Sequence, residues 1–117
     1  WHDIQMPLLI DWPNRPKSKI DWEHGKPSHT KWRVKSSNSE NTHFKNTTRV
    51  ELQPITGRTH QLRLHMMAMG HAILGDTLYA SPDIQAQSPR LLLHARSLQF
   101  KHPVKAEWMS FESTVPF

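Results

Sequence analysis

The chain has 117 residues, enough for one small domain or part of a larger one, and its fifteen Lys and Arg against ten Asp and Glu leave a formal charge of +5. With no cysteine, disulfides and thiolate metal ligands are excluded, and no apolar run approaches the roughly 20 residues a membrane helix needs. The basic balance favours a polyanionic partner without naming one, and a soluble, cytoplasmic protein is the expectation.

Met6 to Ile10 is a short apolar run, readable as a buried strand or a packed loop. Pro13 and Pro16 break the backbone and make Asp11 to Lys19 a loop. Arg15, Lys17 and Lys19 alternate along it, so an extended backbone puts all three on one face. Ile20 to Glu23 reads as a short strand that turns at Gly25-Lys26-Pro27. Thr30 to Val34 and Thr48 to Gln53 each alternate apolar with charged residues, the pattern of strands with one solvated face. The polar stretch from Ser36 to Thr48 joins them as a hairpin loop, which suggests an antiparallel pair.

The stretch from Pro54 to Tyr79 organises the rest. It reads as a strand end, a turn at Gly57, a helix and a second turn. Thr59 is the expected N-cap, Leu62, Met66 and Met69 form an apolar stripe at helical spacing, and Gly70 suits a left-handed C′ position. Arg58, His60 and Arg63 crowd the positive end of that helix. Their placement opposes the dipole, whereas an anionic partner accounts for it. Gly75-Asp76 reads as a turn whose carboxylate bonds nearby N–H groups. Ser81 to Ser88 suggests one helical turn, and Leu91 to Phe100, the most apolar run, a central strand. Trp108 to Phe111 closes the sheet against it across a loop at His102-Pro103. The expected fold is α+β, a mainly antiparallel (mixed) sheet with one central helix. Nine histidines offer no metal site, because His60 and His65 stand about 140° apart on the helix.

The run Thr56-Gly57-Arg58-Thr59-His60-Gln61-Leu62-Arg63, followed by Gly70-His71 and Gly75-Asp76, resembles the third motif of the RluA-type pseudouridine synthases. These enzymes isomerise uridine in RNA, detaching the base and rejoining it through carbon 5. The likeness extends upstream to Asp11-Trp12-Pro13-Asn14-Arg15-Pro16-Lys17 and Gly25-Lys26-Pro27, and downstream to Ala80-Ser81-Pro82 and Pro89-Arg90-Leu91-Leu92-Leu93-His94-Ala95. Nearly the whole chain is covered.

The resemblance implies that Arg63 pairs with the family's nucleophilic aspartate. A guanidinium fork holds a carboxylate by two charge-assisted hydrogen bonds and keeps it ionised and aimed. It further implies that Arg58 and His60 contact phosphates or hold the target nucleotide out of its stack, with Gln61 serving the same face or capping the helix. Arg15, Lys17, Lys19 and Lys26 become RNA-facing residues and Leu92 or Leu93 a wall of the base pocket; the tryptophans and Phe44 are stacking candidates, Trp12 in its loop the one nominated. One departure stands out. The family's His-Arg-Leu-Asp segment, which carries the nucleophile, does not occur here, nor does the tyrosine motif that follows it. Residues 1–117 are therefore expected to form the C-terminal portion of a catalytic domain, inactive alone. The complete enzyme would be a monomer that acts on rRNA or tRNA stem-loops and needs no cofactor or metal. The alternative is a non-catalytic basic RNA-binding module.

Overall fold

The computed structural model of the protein describes residues 1–37, 47–101, 104 and 108–117. Strand β1 (His2–Gln5) is followed by a hairpin of β2 (Leu8–Ile10) and β3 (Ser18–Ile20), whose connection holds a 3-10 turn at Trp12–Asn14. The long strands β4 (His29–Ser37) and β5 (Thr48–Pro54) lead into the main helix α1 (Gln61–Ala68). A short helix α2 (Pro82–Gln85) and a ribbon of β6 (Ser97–Lys101) and β7 (Trp108–Glu112) complete the chain. Strand β4 lies between β1 and β5 and runs antiparallel to both, while β2–β3 and β6–β7 form separate antiparallel pairs. The fold is α+β, antiparallel sheets with one main helix, as the sequence patterning suggests.

The β4–β5 pairing follows from side-chain alternation. Trp32 opposes Leu52 and Val34 opposes Val50, while Arg33 opposes Glu51 in the register between them. Arg33 donates through Nε and Nη2 to Glu51 Oε2 at 3.1 and 3.0 Å, a cross-strand pair that adds to the ladder. Residues 38–46, with the expected hairpin loop and Phe44, lie outside the described residues, as does the turn at His102-Pro103.

Three local expectations change. The short strand expected at Ile20 to Glu23 sits earlier, at Ser18–Ile20, because Asp21 Oδ1 accepts from the N–H groups of Glu23 and His24 and turns the chain. The apolar run Leu91 to Phe100 is not a central strand. Only its end, from Ser97, pairs with β7, and Leu98 there is 58% exposed. The leucines before it lie half-buried, with Leu92 N–H bonded to Leu74 O at 3.0 Å instead of to a strand. Arg15, Lys17 and Lys19 do not share one extended face, since the 3-10 turn and the bend after it interrupt the backbone.

The interior is unusually polar. Four apolar side chains are buried among the described residues (Ile4, Leu8, Leu64 and Met66) beside seven polar ones, so hydrogen bonding organises the centre as much as apolar packing does. Helix α1 shows how. Gln61, Leu64 and His65, at i, i+3 and i+4, face the sheet, whereas Met69 of the expected stripe is 39% exposed and Leu62 is half-buried. His65 is fully buried because Thr30 Oγ1 lies 2.8 Å from its Nδ1 and Met6 O lies 3.0 Å from its Nε2. Burial, offset in part by the Met6 contact, holds its pKa below the ordinary imidazole value.

Candidate active site

The N-terminus of α1 is fastened by Gln61, not by Thr59. His60 occupies the N-cap in the left-handed region, φ 55°, with no side-chain cap bond. Gln61 Oε1 accepts from Thr56 Oγ1 at 2.7 Å and from Arg58 N–H at 3.1 Å. Its Nε2 donates to His29 O and Thr30 Oγ1, each at 2.9 Å. The carboxamide is thus fully used inside; Gln61, only 3% exposed, borders the cleft described below with no free polar group to offer RNA, and of its two expected roles it fills the one at the helix start. What it does is pin the Thr56–Arg58 turn and the helix to strand β4.

Arg63 emerges one turn along. Its Nε donates to Asp76 Oδ2 at 3.1 Å and its Nη2 to Asp76 Oδ1 at 2.6 Å, a side-on fork in which Asp76 is fully buried and Arg63 17% exposed. Asp76 Oδ1 also accepts from the N–H groups of Leu78 and Tyr79, at 3.0 and 3.2 Å, so the expected turn former doubles as the arginine's anchor. Burial works to raise the Asp76 pKa, but the Arg63 bond and these two amides outweigh it and hold the carboxyl below its ordinary value. The same bond, against some desolvation, raises Arg63, so the pair is ionised. A side-on pair uses the Nε–Nη2 edge and leaves the Nη1–Nη2 end of the guanidinium for a second acceptor.

Gly75, at φ 78°, makes this turn possible, since a Cβ there would collide with the Arg90 carbonyl. The segment from Arg90 to Leu92 consequently docks against Leu74 and Gly75, the residues just before Asp76.

Arg63 lines a cleft of about 350 Å³ together with Arg58, His60, Leu62 and Leu93. Of the two leucines expected at the base pocket, Leu93 lines this cleft and Leu92 does not. No carboxylate lines the cleft among the described residues. A second cleft, of about 420 Å³, lies between the β2–β3 hairpin and the Gly57–Thr59 turn, lined in part by Trp12, Lys26 and Arg58. Arg58 borders both, with its guanidinium 3.4 Å from Pro27 O. Arg15 lies 4.3 Å over the ring of Trp12, which is itself 64% exposed. Lys17 and Lys19 are exposed on the same hairpin, Lys19 at 4.0 Å from Asp21. The structure thus gathers Arg58, His60, Arg63 and Leu93 at one cleft and Trp12 and Lys26 at its neighbour. It leaves Lys17 and Lys19 on the adjacent surface.

Sequence reasoning missed Asp76 as the partner of Arg63, and it missed Tyr79. A signal existed for the first, because Asp76 is the only acidic residue between Glu51 and Asp83. Tyr79 Oη accepts from Ser18 N–H at 2.8 Å and lies 2.8 Å from His60 Nδ1, contacts of 61 and 19 residues' separation that no local pattern announces. Among the described residues no group of three or more His, Asp or Glu is placed to hold a metal ion.

A family model described as RNA pseudouridylate synthase matches residues 2–68. The chain is 52% identical over 115 residues to the dual-specificity RNA pseudouridine synthase RluA of Pasteurella multocida (strain Pm70), covering 98% of this chain and 50% of that protein. It is 50% identical over 114 residues to the protein of the same name from Escherichia coli (strain K12), covering 97% and 50%. The fold matches the human protein RNA Pseudouridylate Synthase Domain Containing 1 with a TM-score of 0.78 at 28% identity, over 99% of this chain and 49% of that one. The chain spans about half the length of the curated relatives it matches. Its place among them follows from the match over more than half its residues: this chain belongs to the RNA pseudouridylate synthase family.

Proposed function

We propose that this chain is the arginine-bearing portion of the catalytic domain of an enzyme that isomerises uridine to pseudouridine in structured rRNA and tRNA. The observation that carries the reading is Arg63. Asp76 grips one edge of its guanidinium, and Arg63 lines a cleft with His60, Leu62 and Leu93. In this reading a nucleophilic aspartate from outside these 117 residues meets the Nη1–Nη2 end of the guanidinium and is held ionised and aimed by it. Arg63 is the catalytic residue. Arg58 and His60 contact the flipped nucleotide, Leu93 packs on its base, and Arg15, Lys17, Lys19 and Lys26 track flanking phosphates. The catalytic reading needs no cofactor, and the enzyme works as a cytoplasmic monomer.

The test uses the full-length enzyme with RNA carrying tritium at uracil carbon 5. Wild type releases tritium. Arg63→Lys keeps most RNA affinity but slows single-turnover release about a hundredfold, because lysine keeps the charge and loses the two-pronged geometry. Arg58→Lys mainly weakens binding. An Arg63→Lys enzyme reacting at the wild-type single-turnover rate would overturn the assignment. RNA binding without any tritium release by wild type would favour a non-catalytic RNA-binding module.

A further inference from the structure

We propose that Tyr79 fixes the tautomer of His60, so that His60 presents its Nε2–H as a standing hydrogen-bond donor to an oxygen of the nucleotide bound beside Arg63. The nucleotide in this statement rests on the isomerase reading; the tautomer does not.

The backbone N–H of Ser18 can only donate, and it donates to Tyr79 Oη at 2.8 Å. That occupies one acceptor position of the phenol oxygen. The phenolic hydrogen is then available for His60 Nδ1, which lies 2.8 Å from the same oxygen. A nitrogen that accepts a proton-bearing partner carries no hydrogen itself, so in the neutral ring the hydrogen sits on Nε2. Nε2 has no protein hydrogen-bond partner among the described residues, and His60 lines the cleft that Arg63 and Leu93 share.

The frame around this relay is rigid. Ser18, 6% exposed, also donates through Oγ to Thr59 O at 3.1 Å, so one residue of β3 holds both Tyr79 and the peptide just before His60. His60 sits at φ 55°, a sparsely populated conformation for a residue with a side chain, and its ring meets Tyr79 edge-on at 77° with centroids 5.6 Å apart. The charged groups that face it are Arg63 and Asp76. Burial and Arg63 lower its pKa, and Asp76 acts the other way. A neutral imidazole follows. Beside the guanidinium it adds a second donor to the cleft, and the atom that a donor fits is an acceptor oxygen. A uracil carbonyl and a phosphate oxygen share that chemistry. Tyr79 is on this account a positioning residue, and His60 the one that touches substrate.

The experiment is long-range proton–nitrogen NMR on the chain with nitrogen-15 histidine, at pH 7.5. Wild type is expected to show His60 with an unprotonated Nδ1 and a protonated Nε2. The opposite tautomer, or an imidazolium, overturns the proposal. Tyr79→Phe keeps the ring and removes the hydroxyl. Its His60 should average between tautomers and titrate at higher pH, since a bond to the neutral form has been lost. An unchanged His60 in a folded Tyr79→Phe protein overturns the role of Tyr79, and should that variant not fold, the wild-type spectrum still decides the tautomer. Two ligands then separate the oxygen sources. A shift of the Nε2–H signal with uridine identifies a base carbonyl, a shift with inorganic phosphate a backbone oxygen, and no shift with either overturns the substrate contact. The tautomer is read without RNA or turnover, so its failure leaves the isomerase reading standing. A full-length enzyme that releases no tritium removes that reading and leaves the tautomer intact.

Discussion

The neighbourhood of α1 and the β6–β7 ribbon are held by different kinds of contact. Around α1 the polar groups lie inside: Gln61 is 3% exposed and Thr30, His65 and Asp76 are fully buried, each bonded to backbone or to another of the set. Among the described residues, the segments flanking the ribbon meet the rest of the chain at its surface: Arg96 reaches Glu51 at 3.9 Å and Arg49 donates to Phe117 O at 2.8 Å. A buried polar group stripped of its partner costs its full desolvation, whereas an exposed ion pair contributes little. The α1 region is therefore intolerant of change and fixed in geometry, and the ribbon is tolerant. The cleft belongs to the intolerant half.

The largest test of that contrast is Asp76→Asn. It leaves the Arg63 guanidinium without its carboxylate and should cost about 3 kcal/mol, the lower end for a broken buried pair because Arg63 keeps 17% of its side chain exposed. The readout is a fall in the urea midpoint with unchanged slope. A loss under about 0.5 kcal/mol, the size of an ordinary surface change, would mean that Asp76 does not anchor the arginine. Next comes Thr30→Val, which removes an acceptor from Gln61 Nε2 and a partner from His65 Nδ1 at nearly constant volume. About 2 kcal/mol is expected, and a neutral result would show that the interior network relaxes.

A smaller and reversible probe is pH. The folded state lowers the His65 pKa from its usual 6.5, so the unfolded chain takes up the proton first. Stability is then fully present above pH 6.5 and falls as pH drops from there toward the depressed folded value. His60 is shifted the same way and adds to the loss. Asp76 acts elsewhere: its contribution is present above its usual 3.8 and disappears only at lower pH. Equal urea midpoints at pH 7.5 and 5.5 would contradict a buried neutral His65. The smallest effect belongs to the ribbon. Leu98→Ser, at a residue 58% exposed, should change the stability of this chain by no more than about 0.5 kcal/mol, and a larger loss in thermal or urea unfolding would erase the contrast.

Much of the fold was written locally. The alternation of Thr30 to Val34 and Thr48 to Gln53 announced the β4–β5 pair, and Gly70, at φ 81°, ends the helix in the expected left-handed conformation. The buried face of α1 was legible only in part: Met66 of the expected stripe is buried, but the inward residues also include a glutamine and a histidine while Met69, an apolar one, is left outside. Polar burial of this kind depends on partners such as Thr30 and Met6, which lie 35 and 59 residues from His65. Leu91 to Leu93 misled for a related reason. Apolar content indicates contact with something, and here that something is the turn at Leu74–Asp76 instead of a neighbouring strand. At the cleft, Arg63, Arg58 and His60 were named from the motif and Leu93 as one of two leucines of a downstream segment, whereas Asp76 and Tyr79 acquired their partners only through the tertiary fold.

Gly75 restricts more than its own position. Its left-handed backbone and the Arg90 carbonyl packed where a side chain would stand reduce the permitted alphabet there to one letter. Drift at residue 75 is closed, and insertions or deletions between 76 and 90 are tolerable only if they return Arg90 to the same contact. A library built to retune the base-facing wall at Leu93 should hold Gly75 and the length of that segment constant while varying the side chains around them.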